Sequence, residues 1–409
     1  MRAVAKGPTT VLLTTTTTSP APPDTVAADE PAGAGAALGF ADLPLREPVL
    51  RAIAELGWTE PMPIQTAVLP HLLAGADVVG QAQTGSGKTG AFGIPLVNML
   101  EHADQVGALV LVPTRELCRQ VTADLQHLAR YTDLRVLALY GGTRMGGQFQ
   151  ALERGVDIVV GTPGRVLDHL GRGTLRVDAV RCVVLDEADE MLDIGFAEDV
   201  ERILRRTPRA RQTALFSATI PSWVQRLIRR YQRDPVHVAI APDRATVETV
   251  TQRYYDVAER DKLAGFLSLE DEFGRDARLL IFRRMQVGVD RLARDLTREG
   301  WMVQALHGGM AQAERTRTID AFRSGELPVL IATNVAARGL DIPDITHVVN
   351  YDIPQNPEEY IHRIGRTARA GKPGVALTFV GEWDQPFLEA IQAQVGDALE
   401  PATLPLYAR

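Results

Sequence analysis

Cysteine is almost absent. Cys118 and Cys182 are the only two in 409 residues, and without metal-ligand spacing they read as buried thiols of a reducing compartment. Long apolar runs are missing too. Nowhere do eighteen or more apolar residues follow one another, which excludes a bilayer-spanning helix. Val11-Leu12-Leu13 is too short for the apolar core of a secretory leader. Aromatics make up only 6% of the chain, too few for a surface that would hold a polymer chiefly by stacking its rings. A global excess of positive charge is lacking as well: the net charge is −7, split as −1 over residues 1–40, −1 over 41–240 and −5 over 241–409. A polyanion could be met here only by a local groove and by backbone N–H groups, not by a long-range field. Lysine is the last scarcity, with Lys6, Lys88, Lys262 and Lys372 against 40 arginines.

What is present fits a globular protein of two or three domains at ~150 residues each, with 45% hydrophobic and 23% charged residues. Residues 1–38 are rich in Thr, Pro, Ala and Gly. They cannot bury enough apolar surface to offset their ordering entropy, so disorder is expected; a misplaced start codon and a processed leader both remain open. From Phe40 on, β-branched runs alternate with amphipathic stretches. Strands are expected at 77–80, 108–112, 136–140, 157–160, 182–185 and 213–216, then at 279–282, 302–306, 329–332, 347–350 and 375–380. Apolar strands separated by helices indicate parallel sheets covered on both faces. The expected domains are 39–240 and 253–395, joined by a linker at 241–252, where Pro235 and Pro242 flank a break in the pattern, and followed by a short tail at 396–409.

Two motifs carry chemistry directly. After the strand at 77–80 come Ala82-Gln83-Thr84-Gly85-Ser86-Gly87-Lys88-Thr89, a phosphate-binding loop opening a helix. Glycines let backbone N–H groups approach an anion, and the helix start adds its positive dipole end. Lys88 would neutralise β/γ-phosphate charge, and Thr89 would offer its hydroxyl to Mg²⁺. The generic loop has glycine where this chain has Ala82. Lys88 is also the sole lysine of residues 41–240, a point charge that arginine does not replace. Behind the strand at 182–185 stands Asp186-Glu187-Ala188-Asp189. Carboxylates at the carboxyl end of a parallel strand face the ligand crevice; Asp186 would hold Mg²⁺ largely through water, and Glu187 would orient or deprotonate an attacking water.

With these motifs in order, the chain resembles the DEAD-box ATP-dependent RNA helicases over roughly residues 40–380, a resemblance that implies two tandem RecA-like α/β domains. Gly57-Trp58, Pro63-Ile64-Gln65 and the upstream Phe40 look like the family's adenine-reading motif, which implies Gln65 on the adenine edge and Phe40 stacked near the base. Pro113-Thr114-Arg115-Glu116, Gly141-Gly142 and Thr162-Pro163-Gly164-Arg165 match the motifs that line the RNA path in the family, where small residues, hydroxyls and arginines meet phosphate and sugar without reading bases. Ser217-Ala218-Thr219 matches the motif that links hydrolysis to strand separation; Asp189, His362 and Arg363 are placed with it as coupling residues.

The second half supplies Gly308 and the run Thr333-Asn334 to Arg338-Gly339-Leu340-Asp341, with Asn334 where aspartate is common. The resemblance puts Gly308, Thr333, Arg338 and Gly339 on RNA and Asp341 on the ATP ribose. His362-Arg363-Ile364-Gly365-Arg366-Thr367-Ala368-Arg369 has Ala368 where glycine is usual. Arg366 and Arg369, expected on one helical face, are implied as arginine fingers on the γ-phosphate. Arg283-Arg284 departs from the family's small or polar residues and is expected to add phosphate contacts.

The expected activity is RNA-stimulated ATP hydrolysis coupled to local, non-processive remodelling of RNA duplexes and RNA–protein complexes, with weak sequence preference. A monomer in the cytoplasm, without membrane contact, is expected. Ribosomal precursors and mRNA-decay complexes are both open as settings. Two rivals stand beside this reading. A DNA translocase of the wider superfamily would respond to DNA as to RNA, and an ATP-dependent RNA clamp would hold RNA without needing turnover.

Overall fold

The computed structural model describes residues 39–83, 85–240, 250–274, 276–337, 342, 344–368 and 373–407. The leading segment 1–38 and residues 241–249 of the expected linker lie outside them. The first lobe is a parallel sheet of β1 (Val78–Gln81), β2 (Ala108–Leu111), β3 (Val136–Leu139), β4 (Ile158–Gly161), β5 (Cys182–Leu185), β6 (Gln212–Ser217) and β7 (Val236–Ala239). Its order is β3-β4-β2-β5-β6-β1-β7. Alternate residues of one strand serve different cores because strand side chains have period two. Val78, Val110 and Val184 pack on one face, while Val79, Leu109 and Val183 pack on the other. Each such fully buried valine or leucine contributes about 1.5–3 kcal/mol.

The second lobe repeats the plan with β8 (Val250–Asp256), β9 (Leu279–Arg283), β10 (Val303–Leu306), β11 (Val329–Thr333), β12 (His347–Asn350), β13 (Gly374–Val380) and β14 (Leu399–Ala402). The order β10-β11-β9-β12-β13-β8-β14 is the first lobe's order shifted by seven strands. The two halves are therefore one architecture used twice, the tandem RecA-like arrangement.

Three strands were not foreseen. β7 follows Asp234-Pro235, which reads as a break yet only precedes an edge strand. β8 starts at Val250, so residues 250–252 are sheet and not linker. The expected tail is a structural part of the second lobe: β14 pairs with β8 from Leu399↔Gln252 to Ala402↔Tyr255, and Leu404 is buried in the same core. Pro401 hides this strand from a pattern search, and an edge strand is where a residue without an N–H is tolerated.

Candidate functional site

Ligands of parallel sheets gather at the carboxyl ends of the strands, and the chain loads those ends selectively. In the first lobe, β1 runs into a tight loop ahead of the helix Lys88–Met99. Gly85 and Gly87 hold φ of +87° and +89°, where a side chain would cost about 1–2 kcal/mol. A Cβ on Gly87 would also lie 2.6 Å from the Met62 sulfur. Gly87 is the N-cap, so the unpaired N–H groups of the first turn open onto the loop. Lys88, only 6% exposed, donates from Nζ to the Ala82 carbonyl at 3.0 Å. Ala82, the departure from the glycine pattern, is buried, and its N–H donates to the Ser217 carbonyl at 3.1 Å; its methyl group packs into the core rather than into the loop. Thr84 lies outside the described residues.

Gln65 ties this loop to the preceding helix. Its Oε1 accepts from Met62 N at 2.9 Å and its Nε2 donates to Gly87 O at 3.0 Å. A side-chain amide has two donor and two acceptor positions, so these bonds are compatible with one further pair to an adenine edge. Phe40 is 5% exposed in the first-lobe core, and Trp58 is the aromatic that lines the adjoining cavity.

Asp186, Glu187 and Asp189 are all buried at the end of β5. Glu187 takes the left-handed backbone, φ +53° and ψ +54°, a strained conformation of the kind that clusters at functional sites. Its N–H donates to Asp186 Oδ1 at 3.0 Å. Burial pushes the Asp186 carboxyl up to about 7, against the pull of the Lys88 ammonium. A divalent cation would relieve that burial, and the Thr89 hydroxyl on the first helical turn is a second oxygen of the right hardness. Among the described residues, no group of three or more His, Cys, Asp or Glu could hold a metal. The ion would therefore draw its other ligands from phosphate and water. Asp189 joins the acidic box to the coupling motif: Oδ2 accepts from Thr219 N at 2.8 Å and Thr219 Oγ1 at 2.9 Å, and its N–H donates to Ser217 Oγ at 3.1 Å.

The residues assigned to RNA collect on the other half of the same edge. Pro113 and Thr114 follow β2, Gly142 follows β3, and Thr162, Pro163, Gly164 and Arg165 follow β4; these three strands are neighbours. Thr114 Oγ1 caps the helix Arg115–Leu128, accepting from Leu117 N at 3.2 Å. Gly308 follows β10 and Thr333 ends β11, the matching strands of the second lobe. Arg338, Gly339 and Asp341 lie outside the described residues.

Several arginines are used differently from what their motifs imply. Arg115 does not lie along the RNA edge: its Nη1 donates to Gln312 Oε1 of the second lobe at 2.9 Å. Beside it, Arg315 Nη2 meets Glu116 Oε1 at 2.9 Å with both side chains buried, and Arg119 Nη1 donates to Thr316 Oγ1 at 3.1 Å. The helix Gln312–Ser324 thus clasps the helix Arg115–Leu128 across the lobes. Sequence reading missed this clasp, whose one sign was a polar i, i+3 pair, Gln312 and Arg315, at a helix start.

Arg283 is also turned inward. Its Nε lies 3.1 Å from Asp352 Oδ2 and its guanidinium covers Tyr351, while Arg284 lies over Phe387; the expected phosphate contacts give way to intralobe pairing.

Arg363 is a buried strut. It donates to Asn334 Oδ1 at 2.8 Å, Asn350 Oδ1 at 3.1 Å and the Asp352 carbonyl at 2.8 Å, and pairs with Glu359. Its helix, Pro357–Ile364, ends at the Gly365 cap. Arg366 therefore follows the helix and cannot share a helical face with Arg369, which lies outside the described residues. Arg366 is 4% exposed.

Between the lobes lies a cavity of about 1050 Å³. One wall carries Gln65, Lys88, Thr89, Asp186 and Glu187, and the far wall includes Asp320 and Arg323 of the second lobe. Both thiols are buried and unbridged, and burial pushes each up to about 12, so neither is a nucleophile at neutral pH.

Residues 62–227 match the DEAD/DEAH box helicase family and residues 260–371 the helicase conserved C-terminal domain. The chain is 45% identical over 354 residues to the DEAD-box ATP-dependent RNA helicase CshA of Bacillus licheniformis, an overlap of 86% of this chain and 72% of that one. It spans 64 to 72% of the length of the curated relatives it matches. Among solved structures, S. cerevisiae Dbp5 bound to RNA and ADP BeF3 aligns with a TM-score of 0.81 at 33% identity, covering 90% of this chain and 96% of that one. Dbp5 bound to Nup159, Gle1, IP6 and ADP aligns at 0.61 and 32% identity over 88% of this chain and 96% of that one, so the lobes here sit closer to the RNA-bound arrangement. By its phosphate loop, its acidic box and these matches, the chain belongs to the DEAD-box family of ATP-dependent RNA helicases.

Proposed function

We propose that the chain hydrolyses ATP in the interlobe cavity and uses the resulting opening and closing of its lobes to loosen short RNA duplexes locally, without processive travel. The observation that carries this reading is the division of the site. Lys88, Asp186 and Glu187 stand on one wall, and the other wall belongs to the second lobe. Lys88 leaves the Ala82 carbonyl for the β/γ-phosphates, first-turn N–H groups of the helix cradle them, and Gln65 reads adenine. Glu187 positions the attacking water and accepts its proton. Asp186 and Thr89 would hold Mg²⁺, which supplies charge neutralisation on the phosphates when bound. Arg366, with Arg369, caps the γ-phosphate from the second lobe, a contribution on the order of 10³–10⁵ in rate in nucleotide hydrolases. RNA laid across both strand-end edges favours closure and so stimulates hydrolysis.

Glu187→Gln should lower hydrolysis by roughly 10²–10⁴ while retaining ATP binding. An Arg366→Ala, Arg369→Ala double variant should lose RNA-stimulated turnover. If that double variant hydrolysed ATP with RNA at the parent rate, the sandwiched-nucleotide reading would be wrong. Stimulation by single-stranded DNA equal to that by RNA would favour the translocase reading. The buried thiols support a cytoplasmic, reducing setting. We place the protein there as a monomer acting on ribosomal precursors or decaying mRNA; RNA cross-linked to it in cells distinguishes these settings.

A further inference from the structure

Beneath the RNA edge of the first lobe lies a polar hub that no motif contains. Gln148, on the helix Met145–Glu153, is 8% exposed, and His169, on the helix Pro163–Gly171, is 0% exposed. Gln148 Oε1 accepts from Arg165 Nη1 at 2.8 Å and lies 2.9 Å from His169 Nε2. Its Nε2 donates to Thr143 Oγ1 at 3.2 Å and to the Tyr140 carbonyl at 3.4 Å. Arg165 Nη2 in turn donates to the Thr143 carbonyl at 3.4 Å.

A carbonyl oxygen only accepts, so Nε2 of His169 carries the hydrogen and Nδ1 faces the Thr174 hydroxyl at 2.9 Å. Burial pulls this imidazole below its ordinary range, which keeps the ring neutral with one N–H. Phe149 fixes the ring edge-on, centroids 5.3 Å apart. One amide therefore links the turn after β3 to the arginine after β4 through four hydrogen bonds, and one histidine fixes that amide.

We propose that Gln148 and His169 are positioning residues for RNA: they hold Arg165 and the 141–143 turn in the geometry that meets the sugar–phosphate backbone before RNA arrives. The proposal rests on the reading that RNA runs over this edge. An arginine held in advance loses less rotamer entropy on binding than a free one. The two donors Arg165 spends here leave the rest of its five-donor fork for a phosphate. Neither positioning residue touches RNA or nucleotide, so their effect falls on RNA affinity alone.

The test measures ATPase rate against the concentration of a polyuridine RNA for the full chain and for Gln148→Leu, His169→Phe, His169→Gln and Arg165→Ala. Gln148→Leu and His169→Phe should raise the RNA concentration for half-stimulation roughly tenfold, the scale of one lost charge-assisted hydrogen bond. Unstimulated ATPase, ATP KM and the rate at saturating RNA should stay unchanged in both. His169→Gln, which returns an N–H near the Nε2 position, should recover most of the RNA affinity. The proposal is overturned if the two variants lose unstimulated ATPase in step with RNA affinity, which marks a merely structural hub. It is equally overturned if they leave half-stimulation unchanged while Arg165→Ala raises it. An unchanged half-stimulation in Arg165→Ala would instead overturn the RNA path itself.

Discussion

Ala368 sits at φ +54°, a backbone in which its methyl group crowds the following carbonyl. Removing that strain is worth about 1–2 kcal/mol, and the extra freedom of glycine in the unfolded chain returns about 0.4–1. Ala368→Gly should therefore stabilise the second lobe by about 0.5–1 kcal/mol, seen as a higher denaturant midpoint at constant slope. An unmoved midpoint would mean the turn relaxes by another route. Arg363 is the opposite case, a residue whose conformation is well supported and whose loss is costly. Burial lowers its pKa to about 10, so it is charged at neutral pH and anchors Glu359 and Asn334. Arg363→Met should cost roughly 3–5 kcal/mol because it leaves a largely buried carboxylate without its cation. Thermal unfolding of the second lobe reads that loss, and an unchanged transition would show that Glu359 finds another partner.

At the scale of elements, one ion pair gathers the entries of three strands. Asp157, just before β4, accepts from Ala103 N at 2.9 Å, from Arg135 N at 2.8 Å and from His102 Nδ1 at 3.0 Å. The hydrogen bond to Asp157 holds the His102 imidazole above its usual 6.5. A group raised in the folded state stabilises it fully below the unfolded value and loses that contribution as pH climbs through the folded value. First-lobe stability should therefore decline from about pH 6.5 upward as His102 deprotonates, and His102→Gln should flatten that slope. A slope identical in the variant would assign the effect to other groups. The strands themselves were legible where apolar runs are continuous, as at Leu109-Val110-Leu111 and Val183-Val184-Leu185. β14 was not, because Leu399 is its one buried residue and Pro401 mimics a breaker.

The whole molecule depends on how two lobes of one design meet. Glu116 and Arg315 close the interface with side chains 6% and 9% exposed, beside the more open Arg119–Thr316 contact. A double-mutant cycle on Glu116→Gln and Arg315→Met, read by RNA-stimulated ATPase, should give a coupling above ~1 kcal/mol, against near zero for an exposed pair. Additive effects would show that the clasp is not used in the active closed form. Sequence alone determined the parts that touch the nucleotide: Lys88, Thr89, Asp186 and Glu187 lie at fixed distances from strand ends, and phosphate, cation and water chemistry dictates their types. It also determined two sheets, through apolar runs that only burial on both faces explains. Tertiary structure alone decided which arginines remain for ligands. Arg115 goes to the lobe interface, and Arg283 and Arg363 go to Asp352, Glu359 and Asn334. A guanidinium pairs with whatever acceptor lies a few ångströms away in space, and residues such as Gln312, almost two hundred positions along the chain, become its neighbours only once both lobes have folded and met.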